Sequence, residues 1–135
     1  MKGERKMKVI PMDLGVCGVE QVMFAGSIAF DTEKASEGVV LTKLPANIIV
    51  TKAVAVVKTA FNAATTNVIT VGTDDNIGNL LGSSDITGGT AGAYIKNTFA
   101  ESKEATDVKA KYTQSGTAAT AGEADIYLFV VRIPE

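Results

Sequence analysis

A chain of 135 residues with 46% apolar and 21% charged side chains is long enough for one domain around one core, and its balance is neither collagen-like nor disordered. It has no His, no Trp and one Cys, which excludes Ser-His-Asp and Cys-His nucleophiles, imidazole bases, His-ligated metals, iron–sulfur clusters and an intrachain disulfide. A formal charge of −2 argues against a surface built to neutralise phosphates, so no nucleic-acid partner is expected.

Residues 1–20 stand apart from residues 21–135, the expected folded domain. The start is basic, with Lys2, Arg5, Lys6 and Lys8, and Ile10 to Val19 then mixes single apolar residues with glycine and proline, without a clear period. Such a segment is either an extended arm lying on another surface or an irregular first edge strand. No long apolar run follows the basic start, and the richest apolar stretch, Ile48 to Val57, contains Thr51 and Lys52. Neither an export signal nor a membrane span is expected. The chain is expected to be made in a cytoplasm, with Cys17 a free thiol acting as a small, partly buried apolar residue.

Alternation and residue type then predict strands. Over Met23 to Asp31, Phe24, Ile28 and Phe30 are placed on one face, with Gly26 breaking the row, and Ala25, Ser27 and Ala29 on the other. Ile48 to Thr59 carries Ile48, Val50, Val54 and Val56 at even positions, interrupted by Lys52, and Ile49, Ala53, Ala55 and Val57 at odd ones. A strand apolar on both faces reads as central and covered twice. Val68 to Val71 is a short β-branched run closed by Gly72. Asn76 to Leu81 is read as one helical turn, with Leu80 and Leu81 plugging an end of the core. From Ala105 to Thr113, Val108, Ala110 and Tyr112 face inward while Asp107, Lys109 and Lys111 face water. The last strand, Ala124 to Ile133, sets Ile126, Leu128 and Val130 against Tyr127, Phe129, Val131 and Ile133. Its second apolar face requires either a covering layer or a neighbouring subunit.

Turn residues cluster at Thr32 to Gly38, Asn62 to Asn67, Thr73 to Gly78, Gly88-Gly89 and Gln114 to Gly122. No heptads, βαβ alternation or long repeats interrupt this rhythm. The expected fold is all-β: an antiparallel sandwich or jelly roll with an N-terminal arm and at most one short helix.

No catalytic constellation emerges. Asp74, Asp75 and Asn79, with Asp85 nearby, come nearest to an oxygen-ligand loop for calcium, but the spacing is not that of an EF-hand. Asx turns and helix capping account for the same residues, and no metal or other cofactor is expected. The acids are spread over loops and wet faces rather than paired across a cleft, and three tyrosines make a thin platform for sugars. Gly88 to Gly92 lacks the Lys-Ser/Thr of a phosphate loop.

One resemblance is carried by an ordered series of segments. They are Leu44-Pro45-Ala46-Asn47-Ile48-Ile49-Val50-Thr51, Thr59-Ala60-Phe61-Asn62, Ile69-Thr70-Val71-Gly72-Thr73, Leu80-Leu81 with Asp85-Ile86-Thr87, and Lys111-Tyr112-Thr113 followed by Gly116 to Ala124. In order and spacing, residues 40–133 resemble small virion structural proteins of tailed bacteriophages. The resemblance implies a β-sandwich that decorates or cements the exterior of a capsid, with the major capsid protein as partner and a homotrimer as its own assembly. On that expectation Lys2, Arg5, Lys6, Lys8, Ile10, Met12 and Leu14 contact the shell, and Tyr127, Phe129 and Val131 pack between subunits. A tail-fibre or baseplate component binding a host glycan is the alternative, and a small carboxylate enzyme a more distant one. Neither needs a membrane.

Overall fold

The computed structural model describes residues 19–74 and 76–134. Eight strands follow in chain order: β1 (Glu20–Ala29), β2 (Val39–Leu44), β3 (Ile48–Thr59), β4 (Thr66–Thr73), β5 (Asn76–Leu81), β6 (Gly92–Ser102), β7 (Thr106–Ser115) and β8 (Glu123–Arg132). They pair antiparallel into two four-stranded sheets ordered β1-β8-β3-β6 and β2-β7-β4-β5. This is the strand order of an eight-stranded jelly roll, in which all but one connection crosses from sheet to sheet. Among the described residues there is no α-helix.

The core lies between the sheets. β3 and β8, the two central strands of the first sheet, supply Ile48, Val50, Ala53, Ala55, Val57, Ala124, Ile126, Leu128 and Val130, all buried. β4 and β7 answer from the second sheet with Ile69, Val71, Val108, Ala110 and Tyr112. Phe61 closes one end, its ring centroid 4.6 Å from that of Tyr112. Gly122 approaches that ring so closely, at φ +146°, that a side chain there would collide with Phe61. The Tyr112 hydroxyl donates to Asn67 Oδ1 at 2.6 Å, and the same oxygen accepts from the Ala63 N–H at 2.9 Å. One asparagine thus ties the β3–β4 connection to β7.

Bulges decide which residues the first sheet turns inward. The register of β3 shifts between Val50 and Lys52 against both neighbours, leaving Thr51 as the extra residue. The inward set therefore changes from even to odd: Ile48 and Val50, then Ala53, Ala55 and Val57. Lys52, which interrupted the even-numbered row, stands on the outer face. In β1 the shift falls between Phe24 and Gly26. Phe24, expected beside Ile28, is instead 55% exposed while Ile28 is fully buried. Gly26 sits at φ +152°, with Leu41 packed against its backbone.

The helical turn expected over Asn76–Leu81 is strand β5. Its pairing with β4 is strongly bulged: Thr73 meets Asn76 while Val71 already meets Leu81. Gly72 makes this possible, because its missing side chain leaves room for the Asn76 carbonyl and the Gly78 amide. Asn79 supplies the hydrogen bonds that the ladder loses, accepting from the Thr73 N–H at 3.0 Å and donating to Thr73 Oγ1 at 2.8 Å. Leu80 and Leu81 are both buried, so the expected plug forms, from a strand rather than a helix.

Candidate functional site

Antiparallel register gathers the outward side chains of the first sheet into rows. Phe24 pairs with Tyr127, Tyr127 with Val54, and Val54 with Ile95. The next row runs from Val22 through Phe129 and Lys52 to Asn97. Between them lies a shallow apolar depression of about 400 Å³, lined by Val22, Lys52, Val54, Ile95, Tyr127 and Phe129. The rings of Phe24 and Tyr127 tilt together at 5.3 Å, and Lys52 Nζ stands 5.1 Å from the Phe129 centroid, so even the lysine presents its stem to the apolar surface.

This surface is not core. Val22 is 58% exposed and Ile95 65%, in line with Phe24. Polar groups rim it at both ends. At one end the single Thr51 hydroxyl proton is shared between the Glu20 carboxylate and the Phe129 carbonyl, both within hydrogen-bond reach of Oγ1. At the other, Asp125 accepts from Ser27 Oγ at 2.6 Å and pairs with Lys58 at 3.3 Å. Asp125 is the buried charged residue of the described chain, where the acids were expected on wet faces. Its hydrogen bond to Lys58 is the main reason that amine holds its proton above the ordinary lysine range. An apolar centre inside a polar rim is the anatomy of a surface that meets another protein.

Beside the depression, the open edge strand β6 carries Phe99, 70% exposed and held at φ +46°. Bulky residues rarely adopt this left-handed conformation, which costs about 1–2 kcal/mol. Thr98 braces the irregularity by donating from Oγ1 to the Val50 carbonyl.

Of the residues expected between subunits, Tyr127, Phe129 and Val131 all lie on this outer face, Val131 next to Glu20 and Ile49. Val22, Phe24, Ile95 and Phe99 complete the exposed apolar surface, with Val54 buried at its floor, and none of these is among the residues expected between subunits. The expected shell contacts Lys2, Arg5, Lys6, Lys8, Ile10, Met12 and Leu14 lie outside the described residues, as do Cys17 and Asp75.

The calcium candidates have other work. Asp74 accepts from the Asp107 N–H at 3.2 Å and pairs with Lys109 at 3.1 Å, and these contacts hold its carboxyl below the usual range. Asn79 is spent on Thr73. Asp85 is likewise depressed, by the Gly82 N–H at 2.7 Å and then by Lys96 at 3.0 Å. A second hollow of about 530 Å³ lies between the β4–β5 and β6–β7 turns, with Leu44, Val50, Leu80 and Ala100 among its lining residues and Asp74, Glu101 and Glu104 beside them. Among the described residues no three acid or cysteine side chains converge as a metal site would require.

No family model and no curated protein matches the chain. Solved structures do. A chain of the cyanophage Pam1 capsid asymmetric unit superposes with a TM-score of 0.67 at 18% identity, covering 99% of this chain and 100% of that one. A chain of the capsid of Ralstonia phage GP4 gives a TM-score of 0.64, again at 18% identity, over 96% of this chain and 93% of that one. What is shared across that distance is the jelly-roll fold, over essentially the whole length.

Proposed function

We propose that this chain is a structural component of a phage virion that decorates the outside of the capsid and stabilises it by binding across subunits of the major capsid protein, without catalysis. The observation that carries the reading is the apolar outer face of the β1-β8-β3-β6 sheet, exposed on a fold shared with chains of two phage capsids. In this reading the protein is a homotrimer, with Tyr127, Phe129 and Val131 buried between copies and Lys2, Arg5, Lys6 and Lys8 directed to the shell.

The physical mechanism is mass action. A protein that binds only the assembled shell stabilises it by RT ln(1 + [L]/Kd) at each site, and many weak sites add. A trimer placed on a threefold axis meets three equivalent patches at once, which raises avidity without new contacts.

The test is co-sedimentation of the purified chain with empty shells of its phage, together with a chain lacking residues 2–18. Full-length protein pellets with the shells and raises their thermal disruption temperature, and the shortened chain binds at least tenfold more weakly. Full-length protein that stays in the supernatant overturns the reading.

A further inference from the structure

The depression on the outer face is concave, and its shape selects an occupant. Two such faces pressed together would set hollow against hollow and leave voids whose linings forfeit their contacts. A projecting, one-sided apolar ribbon fills it instead. We infer that residues Ile10–Val16 of a second copy lie across this face, so that copies are joined by exchanged N-terminal segments. This rests on the self-associating reading above and says how the association is made.

Three observations converge on that segment. Ile10 to Val19 has no period as a whole, but within Ile10–Val16 the apolar Ile10, Met12, Leu14 and Val16 fall at every second position, alternating with Pro11, Asp13 and Gly15. Extended backbone sends alternate side chains to opposite sides, so all four apolar groups share one side. Seven extended residues span about 20 Å, and four strands spaced about 4.8 Å apart are about 14 Å across, so the stretch is long enough to cross the sheet.

The point of entry selects another copy. β1 begins at Glu20, in the row of Val131, Ile49 and Glu101, one row short of the sheet's end. The depression begins two residues further on, at Val22. A chain continuing the line of β1 backwards moves away from its own depression, and only a reversal within Cys17–Val19 would return it. The 18 residues before Val19 reach up to about 60 Å when extended, ample to find a neighbour. Passed from each copy to the next, such a segment makes a head-to-tail contact, and head-to-tail contacts whose rotation closes form rings such as trimers. Lys2 to Lys8 lie beyond the docked stretch, free to meet the shell.

The experiment uses the full chain with Cys17→Ser as background and Met12→Cys combined with Ile95→Cys. Oxidation is expected to convert most chains into covalently linked dimers and trimers on non-reducing gels. In the same background, Leu14→Asp is expected to cut that yield at least tenfold and to lower the light-scattering mass to that of one 14.0 kDa chain. Disulfides formed within single chains, thiols left free, or an oligomer indifferent to Leu14→Asp would each overturn the exchange. Co-sedimentation of the Cys17→Ser chain with shells separates the two claims: binding without cross-links removes only the exchange, and cross-links without binding remove only the shell reading.

Discussion

Replacing Val22, Phe24 and Ile95 together by threonine tests the outer face directly. Complete burial of a Val, Ile or Phe side chain is worth about 1.5–3 kcal/mol. Val22 is 58%, Phe24 55% and Ile95 65% exposed, so rather more than half of each contribution is still to be gained from a partner. That is about 1–1.5 kcal/mol apiece and about 3–4 kcal/mol for the three. Threonine removes most of it while keeping the β-branched shape that strands favour. The association constant is therefore expected to fall by two orders of magnitude or more, at about 1.4 kcal/mol per factor of ten. Folding should lose only about 1–2 kcal/mol, because none of the three belongs to the buried core. Sedimentation equilibrium reads the first quantity and urea denaturation the second. A triple variant that folds normally, self-associates undiminished and pellets with shells as before would show that this face meets nothing.

Other consequences concern the scaffold that holds the face. Tyr112→Phe removes one hydrogen bond but leaves Asn67 Oδ1 its bond to Ala63, so the cost is about 1 kcal/mol and a melting temperature lower by about 3–5 °C, read by calorimetry. Gly122→Ala drives a methyl into the Phe61 ring at a positive φ and is expected to cost about 2–3 kcal/mol or more. Gly89→Ala, where the added carbon meets nothing closer than 3.7 Å, is the near-neutral control in the same urea titration. Asp74 and Asp85 titrate below their ordinary 3.8 in the folded chain, so their stabilising contacts are complete above about pH 5 and are lost as the pH falls through the lowered values. The urea midpoint should be level from pH 5 to 7 and drop below pH 4, and Asp74→Asn with Asp85→Asn should flatten that acid limb.

The strands legible in the sequence are those with one long unbroken environment. β7 alternates without a bulge, so Val108, Ala110 and Tyr112 read inward and Asp107, Lys109 and Lys111 outward, as they stand. The limits of β3 were equally plain, but not its facing. A single inserted residue at Thr51 reverses every side chain beyond it, and only the register against β6 and β8 reveals the insertion. β2 and β6 gave no strand signal for another reason. Both are edge strands, and β6 is exposed along most of its length, so neither face had to be apolar. β5 was misread because its two adjacent leucines are both buried, which alternation forbids and a bulge over Gly72 permits.

The interaction surface was half legible, and the reason lies in what a two-layer sandwich can cover. β3 and β8 are apolar on both faces, which a chain needs only if both faces are covered. The β2-β7-β4-β5 sheet covers one face of each, and nothing else among the described residues lies over Tyr127, Phe129, Val54 and Ile95. A sequence can therefore announce that a second cover is required, as β8 does with Tyr127, Phe129 and Val131. It cannot announce which residues share that face, because Val22, Phe24 and Ile95 join it through pairings with Phe129, Tyr127 and Val54, about 40 to 107 positions away along the chain. In the proposed reading the missing cover comes from outside the described domain, and that requirement is what would turn a list of apolar residues into an interface.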